Sequence, residues 1–245
     1  MTGSRDHLEG GAERRRRAFA QRSAVERSRA FLRLLGGILL VYAVIITLGR
    51  LSFAAPLWVA LLGLVLQLDA HTRRRSRRWQ LTVAATGGGL FLATLAAGLA
   101  GSVRVLAGVA GAATLVLVVM VSASIVRTLA DRPVVELSTV LGVLNVYLLL
   151  ALVFASVHQI FGAVQVDYLD GVNGLPTSSD LLYFSVITMT TVGFGDITPG
   201  TDLARTVTVT EALIGQLYLV SVVAAVVGGW RTVWPTTTAG DAGTE

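Results

Sequence analysis

Six consecutive residues combine backbone freedom with several oxygen atoms, and they are Thr191, Val192, Gly193, Phe194, Gly195 and Asp196. Glycine tolerates positive φ, so the two glycines allow successive carbonyl oxygens to point the same way. Such oxygens, together with the Thr191 hydroxyl, can replace the hydration shell of a cation that has lost its water. The segment is therefore a candidate cation-binding site.

A short apolar segment, residues 179–190, leads into these six residues. As a helix it would reach roughly 18 Å, which is too short for a hydrocarbon layer of about 30 Å. We expect it to enter the membrane halfway and return, with Ser178 or Ser179 as N-cap and Asp180 in its first turn. Its C-terminal end would then direct partial negative charge toward the membrane centre, which favours a cation.

The composition is typical of a membrane protein. Hydrophobic residues make up 53% of the chain and charged residues 14%, whereas about a quarter of the residues in soluble domains are charged. All 20 basic residues are arginine, a bias typical of GC-rich bacterial genomes, and they lie between hydrophobic stretches. This distribution argues against nucleic acid as a partner, and the lack of cysteine excludes thiolate metal sites. No catalytic constellation is present, so we expect neither an enzyme nor a cofactor.

Six apolar stretches are long enough, or nearly so, to cross the hydrocarbon layer as helices. Their approximate bounds are 34–49, 51–68, 81–100, 103–126, 135–161 and 203–229. The tight junction at Gly49 and Arg50 predicts a hairpin between the first two. We therefore predict an all-α membrane protein with six transmembrane helices.

The arginines predict how these helices are oriented. With both termini in the cytoplasm, only Arg50, Arg104 and Arg205 of the 20 arginines fall outside, as the positive-inside rule requires. We predict a multi-pass protein of the cell membrane. Anionic lipids attract arginine clusters, and the candidate contacts are Arg14, Arg15, Arg16, Arg17, Arg73, Arg74, Arg75, Arg77 and Arg78. A topology signal with no lipid contact is the alternative interpretation.

The run from Thr190 to Asp196 resembles the signature of tetrameric potassium channels. The resemblance covers about 95 residues and implies a pore domain with outer helix 135–161, pore helix 179–190, filter 191–196 and inner helix 203–229. It implies K⁺ as the permeant ion, held by the carbonyls of Thr191, Val192, Gly193 and Phe194. One chain supplies one filter strand, so the resemblance also implies a homotetramer.

The arginine-rich N-terminus, the apolar spans and the resemblance together divide the chain into four regions. A basic cytoplasmic tail (1–30) precedes a four-helix transmembrane domain (31–130), which is followed by the pore domain (131–229) and a short cytoplasmic tail (230–245).

Two residues depart from the pattern common in this family. Phe194 stands where many members have tyrosine, so one hydrogen bond behind the filter is lost, and Tyr183 and Phe184 are its expected packing partners. Ile187 occupies a place where some bacterial relatives have a glutamate that pairs with the acid after the filter. Asp196 is therefore expected to lack that partner, although it and Thr190 still flank and support the filter.

Two residues of the sixth span invite a specific interpretation. Glu211 is costly inside a membrane and needs a partner, for which we expect Thr188, Thr190 or a filter amide, with a pore-lining charge as the alternative. Gly215 is a possible gating hinge, since glycine loosens a helix, and close helix packing is the alternative. In the fifth span, His158 is expected to make an interhelical hydrogen bond, with pH sensing as the alternative.

The fourth span lacks the repeated arginines of a voltage sensor. It carries no charge between Arg104 and Arg127, and Asp69 of the second span is expected at the cytoplasmic edge. The resemblance thus predicts a potassium channel without strong voltage gating. The alternatives are a poorly selective cation channel, a potassium-uptake transporter, which a single filter copy argues against, and a non-conducting membrane scaffold.

Overall fold

The computed structural model describes residue 26 and residues 28–51, 54–72, 76–130 and 137–231. The predicted contacts of the arginines at 14–17 and 73–75, and most of both predicted tails, lie outside these residues. Seven helices occupy the described ranges: α1 (Ser28–Leu48), α2 (Ala55–Thr72), α3 (Arg77–Leu99), α4 (Val103–Ala130), α5 (Leu137–Val164), α6 (Ser178–Met189) and α7 (Asp202–Arg231).

All of these helices except α6 are long and apolar enough to cross a membrane, which confirms the six predicted spans. Their bounds differ from the prediction by a few residues. The described part of α1 extends from Ser28, six residues before the predicted span, and its Phe31 and Leu34 are buried against the rest of the protein. Helix α2 begins at Ala55, where Pro56 fits the first turn of a helix because its missing N–H is not needed there.

Helix α5 lies at the centre of the packing, with α4 and α6 against it. Two long-range hydrogen bonds also attach α1 to α5: Tyr42 Oη donates to the Leu148 carbonyl at 2.7 Å, and Asn145 Nδ2 donates to the Phe31 carbonyl at 3.1 Å. Polar side chains of spanning helices need partners inside the protein because the lipid offers none. The first helix is thereby anchored on the same helix that supports the candidate site.

The start of α6 is set by a capping box. Thr177 is the N-cap, and its hydroxyl accepts from Asp180 N at 3.3 Å while Asp180 Oδ2 accepts from Thr177 N at 3.0 Å. The predicted N-caps Ser178 and Ser179 are therefore wrong by one or two positions, because the threonine before them is spaced correctly for the reciprocal bond with an acidic N3 residue. Ser179 instead donates to the Ile46 carbonyl of α1 at 3.1 Å.

Two short strands, β1 (Leu169–Asp170) and β2 (Thr198–Pro199), pair antiparallel. They were not predicted, since two residues are too few to show a strand periodicity. The ladder joins the segment after α5 to the segment before α7, and it lies beside the end of the candidate site.

Asp69 of the second helix has a buried partner that its position near the end of the span does not reveal. It lies in the last turn of α2 but is buried, with 6% of its surface exposed, and it accepts a hydrogen bond from Ser124 Oγ of α4 at 3.1 Å. Its position near the end of α2 agrees with the expected edge of the span, and the assignment of that edge to the cytoplasm stays a prediction. The carboxylate helps to join α2 to α4.

Candidate functional site

The loop after α6 has an alternating backbone. Thr191, Gly193 and Gly195 have positive φ values of 59°, 50° and 79°, whereas Val192 and Phe194 between them do not. A positive φ costs an L-residue about 1–2 kcal/mol, so glycine is the suitable residue at two of these three positions. Thr191 adopts the same conformation without that advantage, which marks it as a strained position.

The first three amides of this loop bond back to α6. Thr191 N donates to Thr188 O at 3.0 Å, while Val192 N and Gly193 N both donate to Ile187 O, at 2.9 and 3.2 Å. Within the described residues, the carbonyl oxygens of 191–196 accept no hydrogen bond from the backbone. The first three amides of the loop are therefore bound to α6, and a series of carbonyl oxygens remains available for a cation.

The loop is uncovered in the single chain. Residues 190–196 are all exposed, and the apolar side chains Val192 and Phe194 are 51% and 70% exposed. No group of three or more His, Cys, Asp or Glu side chains in the described residues is placed to hold a metal ion.

Phe194 and Asp196 are both held by Tyr183 of α6. The rings of Tyr183 and Phe194 stack with centroids 6.5 Å apart and planes at 2°, and Tyr183 Oη donates to Asp196 Oδ2 at 2.8 Å. The expected packing of Tyr183 on Phe194 is thus confirmed. Phe184 points elsewhere, and its ring contacts His158 edge-on at 5.2 Å. Asp196, which lacks a glutamate partner because Ile187 is apolar, has a tyrosine partner instead.

Glu211 pairs with a residue that sequence reasoning did not assign to it. Its Oε2 lies 3.1 Å from His158 Nε2, and neither side chain has exposed surface. Its Oε1 makes no hydrogen bond within the described residues, so the expected partners, which were Thr188, Thr190 or a filter amide, are wrong. The interhelical bond predicted for His158 is confirmed. The sequence did contain a signal for this pair, because α5 carries an imidazole group in its interior (His158) and α7 carries a carboxyl group in its interior (Glu211).

Gly215 lies against the end of α6. A Cβ at this position would approach Met189 Cγ to 3.2 Å and Met189 Cα to 3.4 Å, so the close-packing interpretation has a direct structural basis, and the hinge stays a prediction. Nearby, Tyr147 Oη donates to the Met189 carbonyl at 3.1 Å and its ring stacks on Tyr218 at 5.9 Å. Helices α5 and α7 therefore both contact the residue at which α6 ends.

The region of the chain that contains this site is similar to known sequences. Residues 140–229 match the family described as "Ion channel". A stretch of 46 residues is 54% identical to the "Probable potassium channel protein 2" of Methanocaldococcus jannaschii, and it covers 18% of this chain and 13% of that protein. No solved structure matches the chain. The similarity and the six apolar helices support a membrane protein, in which the region holding α5, α6, the loop and α7 is similar to the ion channel family.

Proposed function

We propose that this chain is one subunit of a homotetrameric potassium-selective channel, with residues 191–196 as its selectivity filter. The observation that carries the proposal is the backbone of the loop, in which positive φ alternates and the amides of residues 191–193 are bound to α6, while the carbonyl oxygens accept no hydrogen bond from the described backbone. Rings of such carbonyls, one from each of four chains, would replace the hydration shell of K⁺. The carbonyls of Thr191, Val192, Gly193 and Phe194 and the Thr191 hydroxyl are the proposed ligands.

Helix α6 suits the role of a re-entrant pore helix. Its 12 residues extend about 18 Å, which carries the chain only partway across a bilayer. Irregular backbone such as the following loop is tolerated at membrane depth only where protein or water surrounds it. In the proposed channel, the C-terminal end of α6 faces the ion pathway with its partial negative charge.

The exposure of α7 supports an assembly of several chains. Only 11% of the residues in its apolar membrane-spanning stretch are buried, against 44% for α5. Leu213, Leu217 and Val220 remain exposed on it, together with the apolar Val192 and Phe194 of the loop. Four copies around a common axis would cover these side chains and bring four loops together.

Flux through purified protein in liposomes tests the proposal. We expect K⁺ flux that barium blocks, and a reversal potential that follows the K⁺ gradient when K⁺ and Na⁺ are opposed. A reversal potential near zero in that experiment would favour a poorly selective cation channel. Absence of flux from well-incorporated protein would favour a non-conducting scaffold.

Gating by voltage is expected to be weak. Arg104 and Arg127 lie at the two ends of α4 and are exposed, with no charge between them, so few charges can cross the field. Each charge moved contributes about 2.3 kcal/mol per 100 mV, and steep gating needs several. We expect open probability to change little with voltage in single-channel recordings. A steep conductance–voltage curve would contradict this.

Tyr183→Phe tests the support of the filter. It removes the hydrogen bond to Asp196 and keeps the ring that stacks on Phe194, so we expect a few-fold lower steady-state K⁺ current with unchanged selectivity. Tyr218→Phe is a matched control, since its hydroxyl donates to the Val143 carbonyl of α5. Equal currents from wild type and Tyr183→Phe would show that the bond does not support conduction.

The proposed location is the cell membrane, with both termini in the cytoplasm, supported by the distribution of the arginines. This orientation would place the β1–β2 ladder and the outer end of the filter outside the cell. Arg77 and Arg78, which are exposed at the start of α3, are proposed to contact anionic lipids on the cytoplasmic side.

A further inference from the structure

A buried row of three side chains joins α5, α7 and the segment before β1. His158 Nε2 lies 3.1 Å from Glu211 Oε2, and His158 Nδ1 lies 2.8 Å from Tyr168 Oη. The exposed fractions are 0% for His158 and Glu211 and 1% for Tyr168. None of these groups contributes an oxygen to the proposed filter, so the row has a purpose that ion coordination does not explain.

The charges that face Glu211 are few. Among the described residues, three titratable side chains lie near it: His158 of α5, Tyr168 of the segment before β1, and Tyr42 of α1. Helix α6 contributes the neutral Ser185. Burial and the negative charge of Glu211 raise the pKa of Tyr168, so its hydroxyl stays protonated. Ser185 Oγ lies beside the carboxyl group without making a hydrogen bond in this part of the chain. His158 is therefore the one group among these that can balance an ionised Glu211.

An uncompensated charge at this site would strongly destabilise the folded protein. A carboxylate with no counter-ion in a low-dielectric interior costs several kcal/mol, and removing one partner of a buried pair leaves that cost in full. With one proton shared between them, His158 and Glu211 carry no net charge in either arrangement of the proton. Losing that proton or gaining a second one would leave a buried net charge.

We propose that His158 and Glu211 form a net-neutral, proton-sharing clamp that positions α7 against α5 and α6 behind the filter. The inference rests on the proposed channel function. Glu211 lies one helical turn before Gly215, which contacts Met189 at the end of α6. His158 also contacts Phe184 of α6 at 5.2 Å. The two residues are positioning residues, since they act on the filter only through α6 and α7.

Charge can be separated from hydrogen bonding by amide substitutions. His158→Gln keeps a donor toward Glu211 but removes the counter-ion, whereas Glu211→Gln keeps an acceptor and removes the carboxylate. The clamp predicts unequal effects: about ten-fold or more loss of K⁺ flux for His158→Gln and at most about three-fold for Glu211→Gln. The double variant, which carries no charge, should recover most of the flux lost in His158→Gln.

The pH profile provides a readout that a simple packing role would not change. In His158→Gln, an ionised Glu211 has no counter-ion, and raising the pH removes the proton that keeps its carboxyl group neutral. We therefore expect its flux and thermal stability to fall as pH rises from mildly acidic to mildly alkaline, with wild type and the double variant nearly constant. His71→Gln, at the exposed end of α2, is the matched control and should behave like wild type.

Thermal unfolding of the four purified proteins keeps this test separate from the proposed function. If wild type carries no K⁺ flux, the channel proposal fails, while the order of stabilities still reports on the clamp. Equal, pH-independent effects of the two single substitutions would overturn the clamp, and so would a double variant no more stable than His158→Gln. If His158→Gln fails to fold and the double variant folds, the clamp is supported.

Discussion

Gly193→Ala is expected to reduce K⁺ flux at least ten-fold. Gly193 has φ of 50° and its amide is tied to the Ile187 carbonyl at 3.2 Å, so alanine must either accept strain of about 1–2 kcal/mol or turn its peptide group. Turning the peptide moves a carbonyl out of the ion pathway. In the proposed tetramer this happens four times around one ring, which multiplies the effect. The loss is measured as K⁺ flux out of K⁺-loaded liposomes.

The control for this substitution is Gly88→Ala in α3. Gly88 is exposed, lies inside a helix and has no atom near the position of a new Cβ, so alanine there should be neutral or slightly stabilising. Both variants should incorporate into liposomes and keep their helical content. Gly193→Ala with wild-type flux and selectivity would show that the loop is not the ion pathway.

Gly171→Ala is expected to have a second large effect, on the outer end of the filter. Gly171 follows β1 with φ of 86°, and a Cβ there would overlap the carbonyl oxygen of Asp196 and lie 3.0 Å from its carbonyl carbon. The side chain cannot move away because both contacts are backbone atoms. Asp196 would be displaced, and Tyr183 would lose its acceptor. We expect roughly ten-fold or greater loss of K⁺ current, together with lower thermal stability, since overpacking typically costs 1–3 kcal/mol.

Gly174→Ala separates this contact from backbone strain. Gly174 has φ of 80°, close to that of Gly171, but nothing lies within 4 Å of its Cβ position. Gly174→Ala should therefore introduce backbone strain without a steric contact, and the variant should retain most of the current. If the two variants lose current equally, contact with Asp196 is not the reason for the glycine at 171.

The membrane-embedded class of the protein and the number of its long helices followed from composition and segment length. A helix must cover a hydrocarbon layer of fixed thickness with apolar residues, so an uncharged stretch is informative by itself. The 12-residue length of α6 and the two glycines after it are also local properties. For this reason the position of the candidate filter could be predicted without a structure.

Residues that pair through space were harder to predict. Ser178 and Ser179 are both good N-caps by residue type, but the reciprocal bond with Asp180 selects Thr177. Asp69 lies near the end of its span, as expected, but the sequence does not reveal that Ser124, 55 positions away, is its buried partner. In both cases the residue types were readable and the partner was not.

Sequence by itself determined what kind of atoms this chain offers: apolar spans, a short half-length helix and a glycine-containing loop whose oxygens suit a cation. Only the tertiary structure decided which side chains meet around that loop, namely Tyr183 with Asp196 and His158 with Glu211. The physical reason is that helix length and backbone freedom depend on neighbouring residues in the chain. The partner of a buried polar group depends instead on how separate helices are rotated and packed, which is set by the whole assembly of side chains between them.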